Sequence, residues 1–488
     1  MFHNAATRAR APKLGPLLLA MAILSGACSS GATTPTPGNT ATATPAAQAT
    51  PTAASSTAAT PAASVPATPS VPQVSQADID TAMKTPTTLT FWSWVPNIDK
   101  EIALFQAKYP AIKINLVNAG QGTPHYTKLR TALQAGTGAP DVAQIEYQYI
   151  PTFSITGGLV DLRPYGAEAL SSQFVDWTWG QVKGQGGEVW AIPQDSGPMG
   201  LIYRKDIFDK YGITTPPKTW DEFLADAKTI HAADPKVYIA DVPPAEQGQW
   251  VGLMWQAGSK PFGVTSKTDV KVAVNDAASK KVAAYWQQLI QQGLVATDPD
   301  FTDAWYQGLA SGKYASWPSA AWGPVFLQGA VKGTSGDWRA APLPQWDASS
   351  NVSANWGGST TAVIKGTKNP VASAMFAEFL NTDPASAMMF TTLQNFYPSQ
   401  KAVLADPTFA GQTPAFFGGQ KVNQVFADIS STVDPSFQWP PFLDQTYTDY
   451  TNTVGKAITA KGDLSAALDA WQQATSTYAK DQGFNVSQ

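Results

Sequence analysis

The sequence predicts an α/β fold arranged in two domains. Strand-like segments alternate with amphipathic helical segments over short links, which is typical of a mainly parallel sheet covered by helices. The aromatic-rich part of the 488-residue chain begins near residue 77 and holds roughly 400 residues, too many for one ordinary core. No apolar run in this part reaches the length of a membrane-spanning helix.

The first 28 residues are typical of an export signal that ends at the only cysteine of the chain. Three basic residues precede a short apolar run, 14–24, and small residues then lead into Cys28. This pattern resembles a bacterial lipobox, in which cleavage leaves a diacylated cysteine as the new N-terminus. Ser25 departs from it, because leucine is usual at that place. The alternative is an ordinary cleaved signal with an incidental cysteine.

Residues 29–85 are expected to form a disordered linker. From Ser29 to Gln76 the sequence has no charged and no aromatic residue, and consists mainly of Ala, Thr, Pro and Ser. Such a stretch cannot bury enough apolar surface to offset its ordering entropy. It could span from about 40 Å as a flexible coil to about 140 Å when extended.

Charge and cysteine usage exclude several classes of protein. Without the three basic residues of the signal, 29 of the 32 Lys and Arg remain against 36 Asp and Glu, a net charge of −7. An acidic balance without long charge runs argues against nucleic acid or anionic lipid as a main partner. With one cysteine, no disulfide framework can form, and stability must come from a large core.

The first domain is predicted to open with a β-α-β-α-β pattern. Strands are expected at 87–94, 112–117 and 140–146, with helices at 98–109 and 125–135 between them. Ligands of such sheets lie beyond the carboxyl ends of the strands. The residues at the carboxyl ends of these strands are therefore expected to lie together at one edge of the sheet, which we call the rim.

The second region is predicted to start near Glu188. Strands are expected at 189–193 and 200–203, joined by the irregular 194–198 segment. A helix is predicted after Thr219, because Thr219 and Glu222 form a capping box that marks a helix N-terminus. Two further helices are predicted to start at Asn275 and near Asp463.

From Thr87 to the C-terminus the chain resembles the extracellular solute-binding proteins of bacterial ABC importers, in the branch of sugar-binding lipoproteins. The segments that carry the resemblance are LTFWSW, FQAKYP, GTGAPDV, GGLVDL, VWAIPQDSGPMGLIYRKDIFDKYGI, PPKTWDEF, GKYASWPSAAWGP, the glycine pair at 357–358, and GDLSAALDAW. Taken singly, most of these segments are weak indicators of the family. Their order and spacing along the chain are specific to it. The resemblance implies a two-lobed, periplasmic-binding-protein-like fold of type II, with a ligand cleft between the lobes.

The resemblance also implies where the chain passes between the lobes. Crossings are expected near 194–198, near 356–362 and near 396–399. Lobe 1 would then comprise 86–194 plus 358–397, and lobe 2 would comprise 199–355 plus 400–488.

Sugar recognition suggests which residues line the cleft. Flat aromatic rings cover the C–H face of a sugar ring, and polar side chains bind its hydroxyls. Trp322 matches the family's ligand-stacking aromatic residue, and Trp356 precedes Gly357 at the second crossing. The full set of expected ligand-binding residues is Trp92, Trp94, His125, Glu146, Gln148, Gln194, Asp195, Trp250, Trp322, Trp356, Gly357 and Trp439.

Packing in the core is the competing explanation for any tryptophan. Trp190, Trp220, Trp286 and Trp471 are assigned to the core because they lie within a strand or on apolar helix faces. Trp250 and Trp255 share one predicted helix, where their spacing lets only one of them face the cleft well.

The sequence lacks the motifs of common enzyme classes. It has no His-x-x-x-His pair, no Gly-x-Ser-x-Gly elbow and no phosphate-binding loop, so no catalytic residue, metal or cofactor is expected. A secreted glycan-active hydrolase using Glu146 and Asp195 is the alternative, since two carboxylates suffice. A purely adhesive wall protein is a third class.

The expected function is capture of a carbohydrate, a di- or oligosaccharide, and its delivery to the membrane subunits of an ABC permease. The expected protein is a monomer without nucleic-acid partners. Its lipid anchor would hold it on the extracytoplasmic face of the cell membrane.

Overall fold

The computed structural model describes residues 71–488 of the chain. The predicted export signal, Cys28 and most of the predicted linker lie outside the described residues. Within residues 71–488, no helix is both long enough and apolar enough to cross a membrane.

The last part of the predicted linker is folded. Helix α1 (Gln76–Lys84) follows Ser75, whose hydroxyl oxygen accepts a hydrogen bond from the Asp78 N–H at 3.2 Å. Met83 is 6% exposed and packs into a hydrophobic core. The predicted linker end at residue 85 is therefore wrong. The helix begins where charged residues first appear, with Asp78 and Asp80, so the change of composition near residue 77 marks the boundary better than residue 85.

The remaining elements follow in chain order. The strands are β1 (Thr87–Trp92), β2 (Ile112–Val117), β3 (Val142–Glu146), β4 (Ile192–Pro193), β5 (Met199–Arg204), β6 (Phe262–Val264), β7 (Asp269–Val272), β8 (Ser316–Ala320), β9 (Trp338–Pro342), β10 (Ser359–Val363) and β11 (Asn485–Ser487). The helices are α2 (Asp99–Lys108), α3 (Thr123–Ala135), α4 (Ile150–Ile155), α5 (Asp176–Gln181), α6 (Lys205–Lys210), α7 (Trp220–Ala233), α8 (Gln247–Gln256), α9 (Ala277–Gln291), α10 (Asp303–Ser311), α11 (Gly323–Ala330), α12 (Pro370–Thr382), α13 (Pro384–Thr392), α14 (Lys401–Leu404), α15 (Pro407–Ala410), α16 (Val422–Ser430), α17 (Leu443–Tyr450), α18 (Lys456–Ala460) and α19 (Leu464–Asp481).

The first sheet has five strands in the order β2-β1-β3-β10-β4. Strand β1 pairs in parallel with β2 and β3, whereas β10 runs antiparallel between β3 and β4. The predicted β-α-β-α-β start and the mainly parallel sheet are confirmed. The predicted 189–193 strand is shorter, because only Ile192 and Pro193 form it.

Two three-stranded sheets lie later in the chain. One has the order β8-β5-β9, with both neighbours antiparallel to β5, and the other has the order β11-β7-β6. Every residue of β5 is buried. Because both faces of β5 are buried, its apolar residues form a continuous run and do not alternate with polar residues.

Local capping signals position the helices of this region. Thr219 Oγ1 accepts a hydrogen bond from the Glu222 N–H at 3.1 Å at the start of α7, as the sequence predicts. Asp463 caps α19 in the same way by accepting from the Ala466 N–H at 3.0 Å. Helix α9 begins at Ala277 after the capping residue Asp276, two residues later than predicted.

The tryptophans assigned to the core are mostly buried. Trp220 and Trp286 are each 1% exposed and Trp471 is fully buried, so the core prediction is confirmed for these three. Trp190 is only half-buried and lines a surface groove.

The segments predicted to cross between the lobes lie side by side. Residues 194–198 are hydrogen-bonded on both sides. The Ser196 N–H donates to the Tyr397 carbonyl at 2.8 Å, and the Trp356 N–H donates to the Gly197 carbonyl at 2.9 Å. This arrangement brings the ends of two different sheets to one narrow strip of backbone. We call it the crossing strip, and it comprises the three predicted crossings at 194–198, 356–362 and 396–399.

Replacing Gly197 with alanine should destabilise the fold by about 3 kcal/mol, because the strip has no room for a side chain. A Cβ at this position would lie 2.0 Å from the Trp356 carbonyl oxygen and 2.9 Å from Trp322 Nε1. Calorimetric melting measures the effect. Gly329→Ala is the matched control, since a Cβ there meets nothing within 4 Å. Equal melting temperatures for the two variants would contradict the close approach.

Candidate ligand-binding cleft

One buried amide organises the rim where β1 and β3 end. Gln144 Oε1 accepts hydrogen bonds from the Ser93 hydroxyl at 2.8 Å and from the Trp94 N–H at 3.2 Å. Its Nε2 donates to Ser359 Oγ at 3.0 Å. The rim therefore joins the ends of β1 and β3 to the start of β10, and it carries the half-buried Trp92 and Trp94.

His125 packs against these two tryptophans. Its ring is fully buried, and its centroid lies 6.0 Å from that of Trp92 and 4.8 Å from that of Trp94, edge to face in both cases. Neither ring nitrogen has a hydrogen-bond partner among the described residues. Burial lowers the pKa of His125 to about 4, so the ring is neutral at pH 7. In this position it supports the tryptophans from the protein interior.

Glu146 lies at the same rim and is held by a tyrosine. Tyr126 Oη donates to Glu146 Oε2 at 3.0 Å and accepts from the Glu146 N–H at 2.9 Å. Burial raises the pKa of Glu146, and hydrogen bonds from Tyr126 and Gln148 offset part of that rise. Trp94 stands edge-on to Tyr126, with ring centroids 6.3 Å apart. The sequence-predicted Trp94, Glu146 and Gln148 thus occur together.

Asp195 lies on the crossing strip and is 8% exposed. Its Oδ1 accepts hydrogen bonds from the Ser359 N–H at 3.1 Å and from Gln194 Nε2 at 3.2 Å. Burial raises the pKa of Asp195 to about 7, and the charge of Glu146 adds to the shift. The two carboxyls therefore share one weakly solvated region.

Aromatic residues gather on the other side of the strip. The indole N–H of Trp322 donates to the Trp356 carbonyl at 2.7 Å, and the two rings meet edge to face with centroids 4.7 Å apart. Gly357 has a left-handed φ of 79°, and a Cβ there would lie 3.2 Å from Trp322 Nε1. The glycine lets the indole lie directly against the backbone.

Phe301 and Phe326 extend this aromatic cluster, and sequence reasoning did not find them. The Phe301 ring centroid lies 6.2 Å from that of Trp322 and 6.4 Å from that of Trp356. Phe326 follows Trp322 by four residues on α11, with ring centroids 5.5 Å apart. The spacing along α11 was a usable signal for Phe326, whereas Phe301 becomes a neighbour only through the tertiary fold.

Two further carboxyls were also missed. Glu246 caps the start of α8, where its Oε1 accepts from the Gly248 N–H at 3.2 Å. Burial raises the pKa of Glu246 to about 8, with contributions from the charges of Asp300 and Glu146. Asp300 Oδ2 is buried without a hydrogen-bond partner among the described residues. Burial raises the pKa of Asp300 to about 6.

Trp356 connects these carboxyls to the aromatic cluster. A Cβ on Gly248 would lie 2.4 Å from Trp356 Nε1 and 3.1 Å from Glu246 Oε1. The indole therefore packs on the first turn of α8 beside the capping carboxyl. Polar acceptors and flat apolar rings lie next to each other at the crossing strip.

Two sequence-predicted residues lie elsewhere in the interior. Trp250 is 2% exposed and packs near Tyr450, with ring centroids 6.3 Å apart. Trp439 is 4% exposed, packs against Phe437, and borders a separate groove of about 290 Å³ together with Trp190. Both are surrounded mainly by core side chains.

Asp444 connects α17 to the first sheet's helices. It accepts a hydrogen bond from the Tyr149 hydroxyl at 2.7 Å and forms an ion pair with Arg130 at 2.7 Å. One turn later, Tyr447 lies close enough to Glu146 and Glu246 for both charges to raise its pKa. Helix α17 therefore lies beside the cluster of carboxyls.

The arrangement suits a ligand that is both apolar-faced and rich in hydroxyl groups. Buried carboxyls accept hydrogen bonds from hydroxyls, and indole faces cover C–H surfaces. In residues 71–488, no group of three or more His, Cys, Asp or Glu side chains is arranged to hold a metal ion.

The fold and the site define a two-lobed α/β protein that binds a solute where its lobes meet. Residues 92–387, more than half of the chain, match the bacterial extracellular solute-binding proteins. The chain belongs to this family, which comprises binding proteins and not enzymes, and its place is extracytoplasmic. The hydrolase alternative is therefore not retained.

Similar proteins bind sugars. The ABC transporter associated binding protein from B. animalis subsp. lactis Bl-04, solved in complex with β-1,6-galactobiose, is 33% identical. Its TM-score is 0.71, and the match covers 82% of this chain and 99% of that one. The galacto-N-biose-/lacto-N-biose I-binding protein from Bifidobacterium longum, in complex with lacto-N-biose, is 26% identical with a TM-score of 0.72, covering 82% and 98%.

Two further relatives are also named as sugar-binding proteins. The lactose-binding protein of Rhizobium radiobacter is 28% identical over 399 residues, covering 76% of this chain and 86% of the relative. The arabinooligosaccharide-binding protein of Halalkalibacterium halodurans is 24% identical over 361 residues, covering 71% and 79%.

Proposed function

We propose that the protein captures a di- or oligosaccharide and delivers it to an ABC permease. The observation that carries this proposal is the juxtaposition at the crossing strip of Trp322 and Trp356 with the buried carboxyls of Asp195 and Glu246. The sugar ligands of the relatives support the same class of ligand.

The proposed contact residues come from both sides of the strip. On the side of the first sheet we place Trp92, Trp94, Glu146, Gln148, Gln194 and Asp195, with His125 behind them. On the other side we place Trp322, Trp356 and Gly357, and we add Glu246, Asp300 and Phe301. Trp250 and Trp439 are the weakest members of the predicted set, because both are almost completely buried.

The lobes are proposed to hinge at the crossing strip. Lobe 1 comprises residues up to 194 plus 358–397, with α1 added to it, and lobe 2 comprises 199–355 plus 400–488. Closure of a hinge is absorbed by a few residues at the ends of elements. A sugar that contacts both lobes would stabilise the closed form, which a permease can recognise.

Isothermal titration calorimetry of purified protein comprising residues 71–488 tests the proposal. The panel is β-1,6-galactobiose, lacto-N-biose, lactose and arabinobiose with their longer homologues, and glucuronic acid and a dipeptide serve as controls. Stoichiometric binding of at least one neutral saccharide, without turnover products, is the expected result. Binding of the dipeptide alone, or cleavage of a saccharide, would refute it.

We further propose that the mature protein is a monomer tethered by a diacylated Cys28. This proposal rests on the sequence before residue 29 and on the need of a receptor to stay near its transporter. Two acyl chains are the number that stable membrane residence requires.

Replacing Cys28 with serine should release the protein into the medium, because no acyl group can then attach. Immunoblots of membrane and medium fractions measure the distribution. Ser30→Ala, two residues further on, is the control and should remain with the membrane. A Cys28→Ser protein that stays at the membrane would contradict the anchor.

A further inference from the structure

Two neighbouring phenylalanine side chains are exposed at the outer end of the aromatic cluster. Phe301 is 38% exposed and Phe326 is 45% exposed, and their ring centroids are 5.8 Å apart. Exposed apolar rings that touch one another form a patch, and such patches mark binding surfaces more often than isolated apolar residues do.

The patch is continuous with the candidate cleft. Trp356 is 8% exposed at the crossing strip, Trp322 beside it is half-buried, and Phe326 is open to solvent. Successive ring centroids are 4.7 Å and 5.5 Å apart. Phe326 lies one helical turn further along α11 than Trp322. The rings therefore lead from the buried strip outwards to the surface.

The backbone holds Phe301 in this place at a cost. Its φ is 53°, in the left-handed region that bulky side chains avoid. Its ring rests on the buried Trp305 and Trp317, with centroids 5.6 Å and 6.1 Å away. Backbone strain of this kind is concentrated at functional sites.

The chemistry beside the patch favours a saccharide as its occupant. Asp300 precedes Phe301 and has a buried oxygen without a partner among the described residues. A carboxyl next to flat rings can bind the hydroxyls of a sugar whose C–H face lies on the phenyl groups.

We infer that Phe301 and Phe326 form an outer subsite for an additional sugar unit, so that the receptor binds a trisaccharide more tightly than the corresponding disaccharide. This inference rests on the proposed function. The inner unit lies at Trp322 and Trp356, and the chain continues along the rings towards Phe326. The outer unit remains partly in solvent, which leaves space for longer chains.

Calorimetry with matched pairs tests the inference: β-1,6-galactobiose against β-1,6-galactotriose, and arabinobiose against arabinotriose. For the pair that binds, the trisaccharide should bind about five- to tenfold more tightly. Phe326→Ala should remove this difference and leave the disaccharide affinity unchanged. Leu393→Ala is the control, because Leu393 is 42% exposed but carries no aromatic ring on which a sugar could stack.

A second variant guards against a folding defect. Phe326→Leu keeps an exposed apolar side chain on α11 but removes the ring, so the melting temperature should hold while the trisaccharide advantage disappears. Equal affinities of the wild-type protein for both members of a bound pair would overturn the subsite. So would a Phe326→Ala protein that loses uptake in cells while keeping the trisaccharide advantage, because the patch would then be a permease contact. If no pair binds, the proposed function itself fails for these sugars.

Discussion

Replacing Trp322 with alanine should weaken sugar binding by about thirtyfold or more, the effect of losing a central aromatic anchor. The indole is fixed by its hydrogen bond to the Trp356 carbonyl, so its face is already oriented before a ligand arrives. Little rotamer entropy is lost on binding, and the full stacking contact is gained. Calorimetric titration with the best saccharide of the panel measures the loss.

The melting temperature of the ligand-free variant separates binding from packing. Trp322 is half-buried, so its removal should lower this temperature by only a few degrees. Trp190→Ala removes another half-buried tryptophan outside the aromatic cluster, and it should leave sugar affinity unchanged. A strong loss of affinity in Trp190→Ala, with none in Trp322→Ala, would move the site to the groove beside Trp439.

The stability of the ligand-free protein should fall as the pH rises from 6.5 to 8.5. Burial raises the pKa of Asp195 to about 7 and those of Glu246 and Asp241 to about 8. In the unfolded chain such groups have already lost their protons at this pH. The folded state therefore binds more protons than the unfolded state, and raising the pH favours unfolding.

His125 does not disturb this pH window. Its lowered pKa removes stability only as the pH falls from about 6.5 towards 4, where the unfolded chain takes up the proton first. The melting temperature should drop by several degrees between pH 6.5 and 8.5, and Glu246→Gln should flatten the slope. Asp481→Asn, at the exposed last residue of α19, is the control. A slope that Glu246→Gln leaves unchanged would contradict the buried carboxyl.

The sheet order around β1, β2 and β3 could be predicted because alternating and β-branched segments between capped helices leave few possible topologies. The rim was predictable for the same reason, since residues at parallel strand ends must meet. Glu246 and Phe301 could not be found, because the cleft residue that both approach, Trp356, is distant from them in sequence. Trp439 shows the opposite limit: an irregular, proline-flanked tryptophan is typical of a binding loop, yet this one is 4% exposed and borders a separate groove.

Helix α1 would have a mechanical consequence if the protein is tethered as proposed above. Its Met83 is packed into the core that Phe91 and Phe376 form beside the first sheet, and the Val74 N–H donates to the Pro164 carbonyl at 2.8 Å. The proposed tether before Val74 would therefore pull on these two contacts, both of which lie in the proposed lobe 1. A pull on one lobe alone would leave the proposed hinge free to close whether the proposed tether is slack or stretched.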